Sequence, residues 1–159
     1  MAFIDILRWL HVIGAAVLLG TGAGIAFFMV MAHRTREPLL IAHVARSVVI
    51  ADAVFTATAV VAQPITGVML ANQLGWPLSE GWVALSIALY ILTGLFWLPV
   101  VYIQVRLRDL AAATARDGQE LPAAYDRLFR IWFACGFPAF AAVLGIFWLM
   151  LARPHFPLH

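Results

Sequence analysis

WLHVIGAAVLLGTGAGIAFFMVMA, residues 9–32, decides the fold. Its 24 residues carry no charge, and His11 and Thr21 are its only strongly polar side chains. At about 1.5 Å per residue, a helical run of this length crosses a hydrocarbon core of about 30 Å with some tilt. Lipid offers the backbone no hydrogen-bond partner, so the run must satisfy its own amides as a helix. It is longer than the roughly 7–15 apolar residues of a signal peptide. No basic region precedes Arg8, so the segment is expected to be retained.

Three more runs read the same way. Val48–Ala71 carries one charge, Asp52, while Trp82–Ile103 and Ile131–Ala152 carry none. No run alternates as barrel strands do. The whole chain is 64% hydrophobic and 11% charged, against about 45–50% and about 25% in ordinary soluble domains. That balance excludes a disordered chain, a nucleic-acid-binding domain and a soluble enzyme. The expectation is an all-α, antiparallel four-helix transmembrane bundle, a single integral membrane domain over 1–159, with spans near 9–32, 48–71, 82–103 and 131–152.

Charge sets the expected orientation. Every basic residue is arginine. Eight arginines lie in segments 33–47 and 104–130, against only Arg8 and Arg153 on the other side. The positive-inside rule then places both arginine-rich segments in the cytoplasm and both termini in the periplasm, as a multi-pass protein of a bacterial inner membrane. Trp9, Trp76, Trp82 and Trp148 fall at the outer face and Trp132 at the inner one, the positions of interfacial belts. Pro38 suits a first helical turn, Asp117-Gly118 a helix stop, and Pro122 a helix start. Asp126 and Arg130 stand at i,i+4 in the favourable order. Cys135, the only cysteine, reads as a buried thiol.

The polar residues inside the spans fall into stripes. With Asp52 as origin and about 100° per residue, Thr56, Gln63 and Thr66 all lie within about 40° of it. In the third span Ser86, Tyr90 and Thr93 align, with Trp82 and Trp97 on the same face. Such stripes face a bundle interior, either as interhelical hydrogen bonds or as a functional lining. Asp52 lies roughly 6 Å inside its span. It is read either as the partner of an interfacial arginine, Arg34 or Arg36, or as a proton-handling carboxylate.

His11 is the one histidine inside a span. Gly14, Ala15 and Gly22 share its face and leave room for a flat group, so His11 is a candidate axial ligand for haem b. Ala16, Gly20 and Gly24 form a small-xxx-small pattern on the opposite face, suited to close helix contact. Met69 and Met150 sit near the depth of His11, and His155 follows in the tail. A His/Met set suits haem or copper, because thioethers favour Cu(I). The alternative is a histidine hydrogen-bonded to a neighbouring helix. No phosphate-binding glycine loop, CxxC, HExxH or GxSxG occurs.

Two resemblances follow from the residues. LHVIGAAVLLGTGAGIAFF from Leu10, AQPITGVML from Ala62, WLPVVYIQVRLR from Trp97 and FWLM from Phe147 resemble a bacterial family of predicted integral membrane proteins, domain of unknown function 2269. That likeness spans nearly the whole chain and implies a four-helix membrane protein with no assigned activity. His11-Val12-Ile13-Gly14, with Pro64, Gly67 and Gly81-Trp82, more distantly resembles HemJ-type protoporphyrinogen oxidases, whose first helix carries a haem-associated histidine. Where that family has a lysine after the tryptophan, this chain reads Val83-Ala84-Leu85-Ser86. The expected function is therefore a small membrane protein that binds haem b through His11. A HemJ-like oxidoreductase, a cofactor-free assembly protein and a copper-handling protein are the alternatives. The expected partners are the bilayer and either a second copy or other membrane proteins, with no nucleic acid.

Overall fold

The computed structural model describes residues 2–154; His155 lies outside them. Among the described residues the chain is entirely helical. Helix α1 spans Ala2–Thr35, α2 Pro38–Leu74, α3 Gly81–Asp117 and α4 Ala123–Ala152. All four are long and apolar enough to cross a membrane. The expected starts and stops hold. Pro38 opens α2, Gly118 ends α3 in the left-handed region at φ 64°, and α4 begins directly after Pro122. Gly75 closes α2 the same way, at φ 73°.

Each helix exceeds its apolar run, and in α2, α3 and α4 the excess is greatest at the arginine-rich end. There α1, α2, α3 and α4 bury Met29, Ile41, Ala45, Leu107, Ala111, Tyr125 and Phe129 in one core. The His33 ring stacks on Phe129, with centroids 3.7 Å apart and planes 7° off parallel. Several of these residues lie beyond the apolar runs, where water rather than lipid is the alternative, so hydrophobic burial contributes there as in a soluble domain. A smaller cluster of Trp82, Val83 and Leu149 joins α3 to α4 at the opposite end. Elsewhere the helices present apolar side chains outward, Leu98 and Leu151 among them. Lipid can cover such surface.

The two-residue link between α1 and α2 holds Arg36 at φ 57°, a left-handed conformation that disfavours a side chain by roughly 1–2 kcal/mol. It is held by its own amide, which donates to His33 O at 3.2 Å. Its guanidinium also donates twice to Asp126, at 2.5 and 3.1 Å. These bonds hold the Asp126 carboxyl, beyond the apolar run of α4, below the usual carboxylate range. Asp126 thus pairs across the bundle with Arg36 and not along its helix with Arg130.

α2 departs from the expected uniform helix. Asp52–Thr56 form a π turn, with the Ala57 amide donating to Asp52 O, five residues back. One residue is thereby inserted into the register. Before the turn α2 packs on both α1 and α3; beyond it α2 follows α1 and parts from α3. α3 packs along α4, while α1 and α4 barely meet. The bundle is therefore two helix pairs that join at the arginine-rich end and separate away from it.

Two expectations about surfaces change. Trp132 is buried, with 4% of its surface exposed, and Trp82 is buried too, so neither is a belt residue; Trp9 and Trp148 remain exposed. The Ala16–Gly20–Gly24 face makes no close contact within the chain: a Cβ on Gly20 or Gly24 would meet nothing within 4 Å.

Candidate functional site

His11 is held as one half of a polar staple between α1 and α2. Its Nδ1 lies 2.8 Å from Thr66 Oγ1. The Thr66 hydroxyl also lies 2.8 Å from Ala62 O and has a single hydrogen to give. With that hydrogen on Ala62 O, Thr66 accepts from His11 Nδ1–H; with it on Nδ1, the ring nitrogen accepts instead, and in both cases the Thr66 contact engages Nδ1 and not Nε2. One turn away, Gln63 Nε2 donates to His11 O at 2.8 Å. Gly14 makes room for that amide, since a Cβ there would collide with Gln63 Nε2. Gly67 similarly lies under the imidazole, where a Cβ would stand 3.2 Å from Cε1. The glycine face beside His11 thus accommodates α2 itself.

The other proposed ligands lie apart. Met69 is on the exposed surface of α2, and Met150 packs on the Trp82–Leu149 cluster. Among the described residues no group of three or more His, Cys, Asp or Glu side chains comes together to hold a metal.

The intramembrane polar residues divide. Ser86 and Thr93 return their hydroxyls to their own helix, on Trp82 O and Leu89 O. Tyr90 reaches across the gap between the helix pairs and donates to Val60 O. Asp52 takes no arginine: its Oδ1 accepts from Trp97 Nε1 at 3.3 Å. Arg36 is engaged by Asp126 instead. Thr56 stands beside the same carboxyl, and Oδ2 has no donor in hydrogen-bonding geometry.

Asp52, Thr56, Tyr90, Thr93 and Trp97, but not Ser86, line a cavity of about 370 Å³ between the two helix pairs. Its walls are apolar and aromatic, with Phe133, Phe137, Phe140 and Phe147 from α4 facing Ala15, Leu18 and Gly22 from α1. Asp52, Thr56, Gln63, Tyr90, Thr93 and Trp97 supply polar atoms from α2 and α3. His11, Gly14, Met69 and Met150 are not part of this lining. The cavity rests on the arginine-rich core, with which it shares Ile25 and Trp132.

Among the lining residues with polar side-chain atoms, Gln104 and Trp132 are not marked as site residues by the sequence. Gln104 is 2% exposed, and among the described residues its Oε1 has no donor and Trp132 Nε1 no acceptor. A signal for Gln104 existed. It follows Trp97 by seven residues, and so shares its helix face, but it falls just past the apolar run. Trp132 was hidden because a tryptophan at a span end reads as a belt residue.

A cavity beside orphaned polar atoms is unusual in a packed helical bundle, and known proteins offer no activity to attach to it. No curated protein and no solved structure matches the chain. The four membrane-length helices agree instead with one family model, described as predicted integral membrane protein (DUF2269), which matches residues 5–154; the chain belongs to that family.

Proposed function

We propose that this protein is a membrane-embedded binding protein, which takes a lipophilic molecule from the bilayer into the cavity between its helix pairs. The observation that carries this reading is the cavity itself, within the roughly 300–1,000 Å³ range of ligand pockets and walled by hydrocarbon and aromatic rings. Its test is mass spectrometry of the lipophiles that stay with the protein after extraction. A defined species in stoichiometric amount supports the reading; only bulk phospholipid sinks it.

The proposed setting is a bacterial inner membrane, with the arginine-rich end in the cytoplasm. The eight-to-two arginine split supports that orientation. A reporter active only in the periplasm is expected to work after His159 and to fail near Asp117. The reverse pattern would overturn the orientation.

A second reading keeps haem b on His11. It is favoured by the Thr66 contact, which engages Nδ1 and leaves Nε2 free to ligate. Within one chain, however, the residues do not fit the group. Gln63 occupies the space beside Gly14, and neither Met69 nor Met150 joins His11 at the cavity. The HemJ likeness rests on its few motif residues alone. Protein purified from haem-replete cells is therefore expected to lack a Soret band, and His11→Ala to loosen α1 from α2 by about 1 kcal/mol. A stoichiometric Soret band lost in His11→Ala would restore the haem reading.

A further inference from the structure

We propose that the lipophile is a single-chain amphiphile with an oxyanion head, whose tail enters the cavity between α1 and α4 while its head rests on Arg34 and Arg130 beside the mouth. This inference rests on the cavity being a binding site.

Exposure places the mouth. Every exposed residue of the cavity lining belongs to α1 or α4: Ala23 and Ala26 on one side, Phe133, Gly136, Phe137 and Phe140 on the other. The lining residues of α2 and α3 are all buried or half-buried. The cavity therefore opens to lipid where α1 and α4 barely meet. Toward the arginine-rich end the same two helices are shut by the His33–Phe129 stack and the Arg36–Asp126 pair. A tail can thus enter sideways from the bilayer.

Two arginines flank that mouth. On α1, Arg34 follows Ala23 by eleven residues and lies within about 20° of its direction. On α4, Arg130 precedes Phe137 by seven residues and lies within about 20° of it. Arg130 is also only about 4.5 Å along the helix axis from Phe133. Both arginines are exposed, and among the described residues neither forms an ion pair. The Asp126 carboxyl feels Arg130 but gives both oxygens to Arg36. Two guanidinium groups are left at the lipid surface, and their donor forks match an oxyanion.

The cavity itself does not suit that head. No basic side chain lines it, and Asp52 is its acidic group. Charge therefore holds the head at the rim, and the apolar walls take the chain. At about 30 Å³ for a group the size of a water molecule, about 370 Å³ holds roughly a dozen methylenes, so one chain fills it. A two-chain lipid would leave its second chain in the bilayer, where the cavity contributes nothing to it. A cationic head meets two like charges at the rim, and a neutral head leaves both arginines unpaired.

Retention by the full chain in phosphatidylcholine nanodiscs tests this, with hexadecyl phosphate, hexadecanol and hexadecyltrimethylammonium as probes, each measured against protein-free discs. The phosphate is expected to be retained about tenfold better than the alcohol, and the ammonium less than the alcohol. Arg34→Gln combined with Arg130→Gln is expected to bring the phosphate down to the alcohol, with an unchanged melting temperature because both side chains are exposed. Arg46→Gln combined with Arg106→Gln is the control: it removes the same charge from exposed positions on α2 and α3, away from the mouth, and is expected to keep the preference. Equal retention of phosphate and alcohol overturns the head-group assignment. So does a preference that survives loss of Arg34 and Arg130, or one that falls equally in the control. Phosphatidylglycerol displacing hexadecyl phosphate mole for mole overturns the single chain. Gly94→Leu separates the two levels. If binding lacks preference yet is lost in Gly94→Leu, only the head-group inference fails. If the probes bind Gly94→Leu as they bind the wild type, the cavity reading fails with it.

Discussion

Gly94→Leu and Gly22→Leu, made separately, are each expected to cut retention of the bound lipophile at least tenfold while the protein folds normally. Gly94 on α3 and Gly22 on α1 both line the cavity. A Cβ at either would meet no heavy atom within 4 Å. The added side chain therefore enters the cavity and takes volume from a ligand, and no helix has to move. Neither glycine sits at positive φ. Leucine also improves helix propensity over glycine by about 0.8–1 kcal/mol. The usual confusion between lost binding and lost folding is thereby reduced. Gly20→Leu is the control: it too meets nothing within 4 Å, yet Gly20 is not part of the lining. Mass spectrometry of co-purified lipophiles and a melting curve on each variant make the comparison. Retention unchanged in Gly94→Leu and Gly22→Leu, or lost equally in Gly20→Leu, would remove the cavity from the account.

Leu107→Ala is expected to destabilise the protein by about 2–5 kcal/mol. Leu107 is fully buried and lies among Ile41, Ala111, Tyr125 and Phe129. This cluster extends past the apolar run of α3, so unfolding it exposes hydrocarbon to water. The loss therefore includes both a transfer and a cavity contribution. Leu98→Ala provides the contrast. Leu98 is 63% exposed within its span, so lipid replaces the contacts it makes, and its loss is expected to cost under about 1 kcal/mol. Thermal unfolding in one detergent, followed by circular dichroism, compares the two. Equal melting temperatures would show that the arginine-rich end is not the core that holds the helix pairs together.

The cluster also explains the chain's division of labour. Where the pairs are joined, Arg36, Asp126, His33 and Phe129 lock the ends of α1 and α4 together. Where they separate, long side chains span the gap, Tyr90 to Val60 O and Trp97 to Asp52 among them. A bundle tied at one end can keep a cavity open toward lipid at the other without losing its fold.

Much of this architecture was legible in the sequence. The four spans follow from uninterrupted apolar length, because bilayer thickness and helical rise are fixed quantities and hydrophobicity sums along the chain. Pro38, Gly118 and Pro122 marked helix ends through local backbone chemistry, a missing N–H or a tolerated positive φ. Which polar residues face inward was also readable in part, since Asp52, Thr56, Gln63, Tyr90 and Thr93 do line one cavity. Their partners were not. Asp52 bonds Trp97, Asp126 bonds Arg36, and His11 is stapled to Thr66. Each choice depends on how far two helices rotate and splay, and neighbouring residues along the chain carry no record of that. The π turn at Asp52–Thr56 is the clearest case: it inserts one residue into the register of α2, and nothing in DAVFT announces it. Length and composition placed four helices in a membrane. Only their packing decided that they would part around a cavity, with Gln104 and Trp132 at its floor.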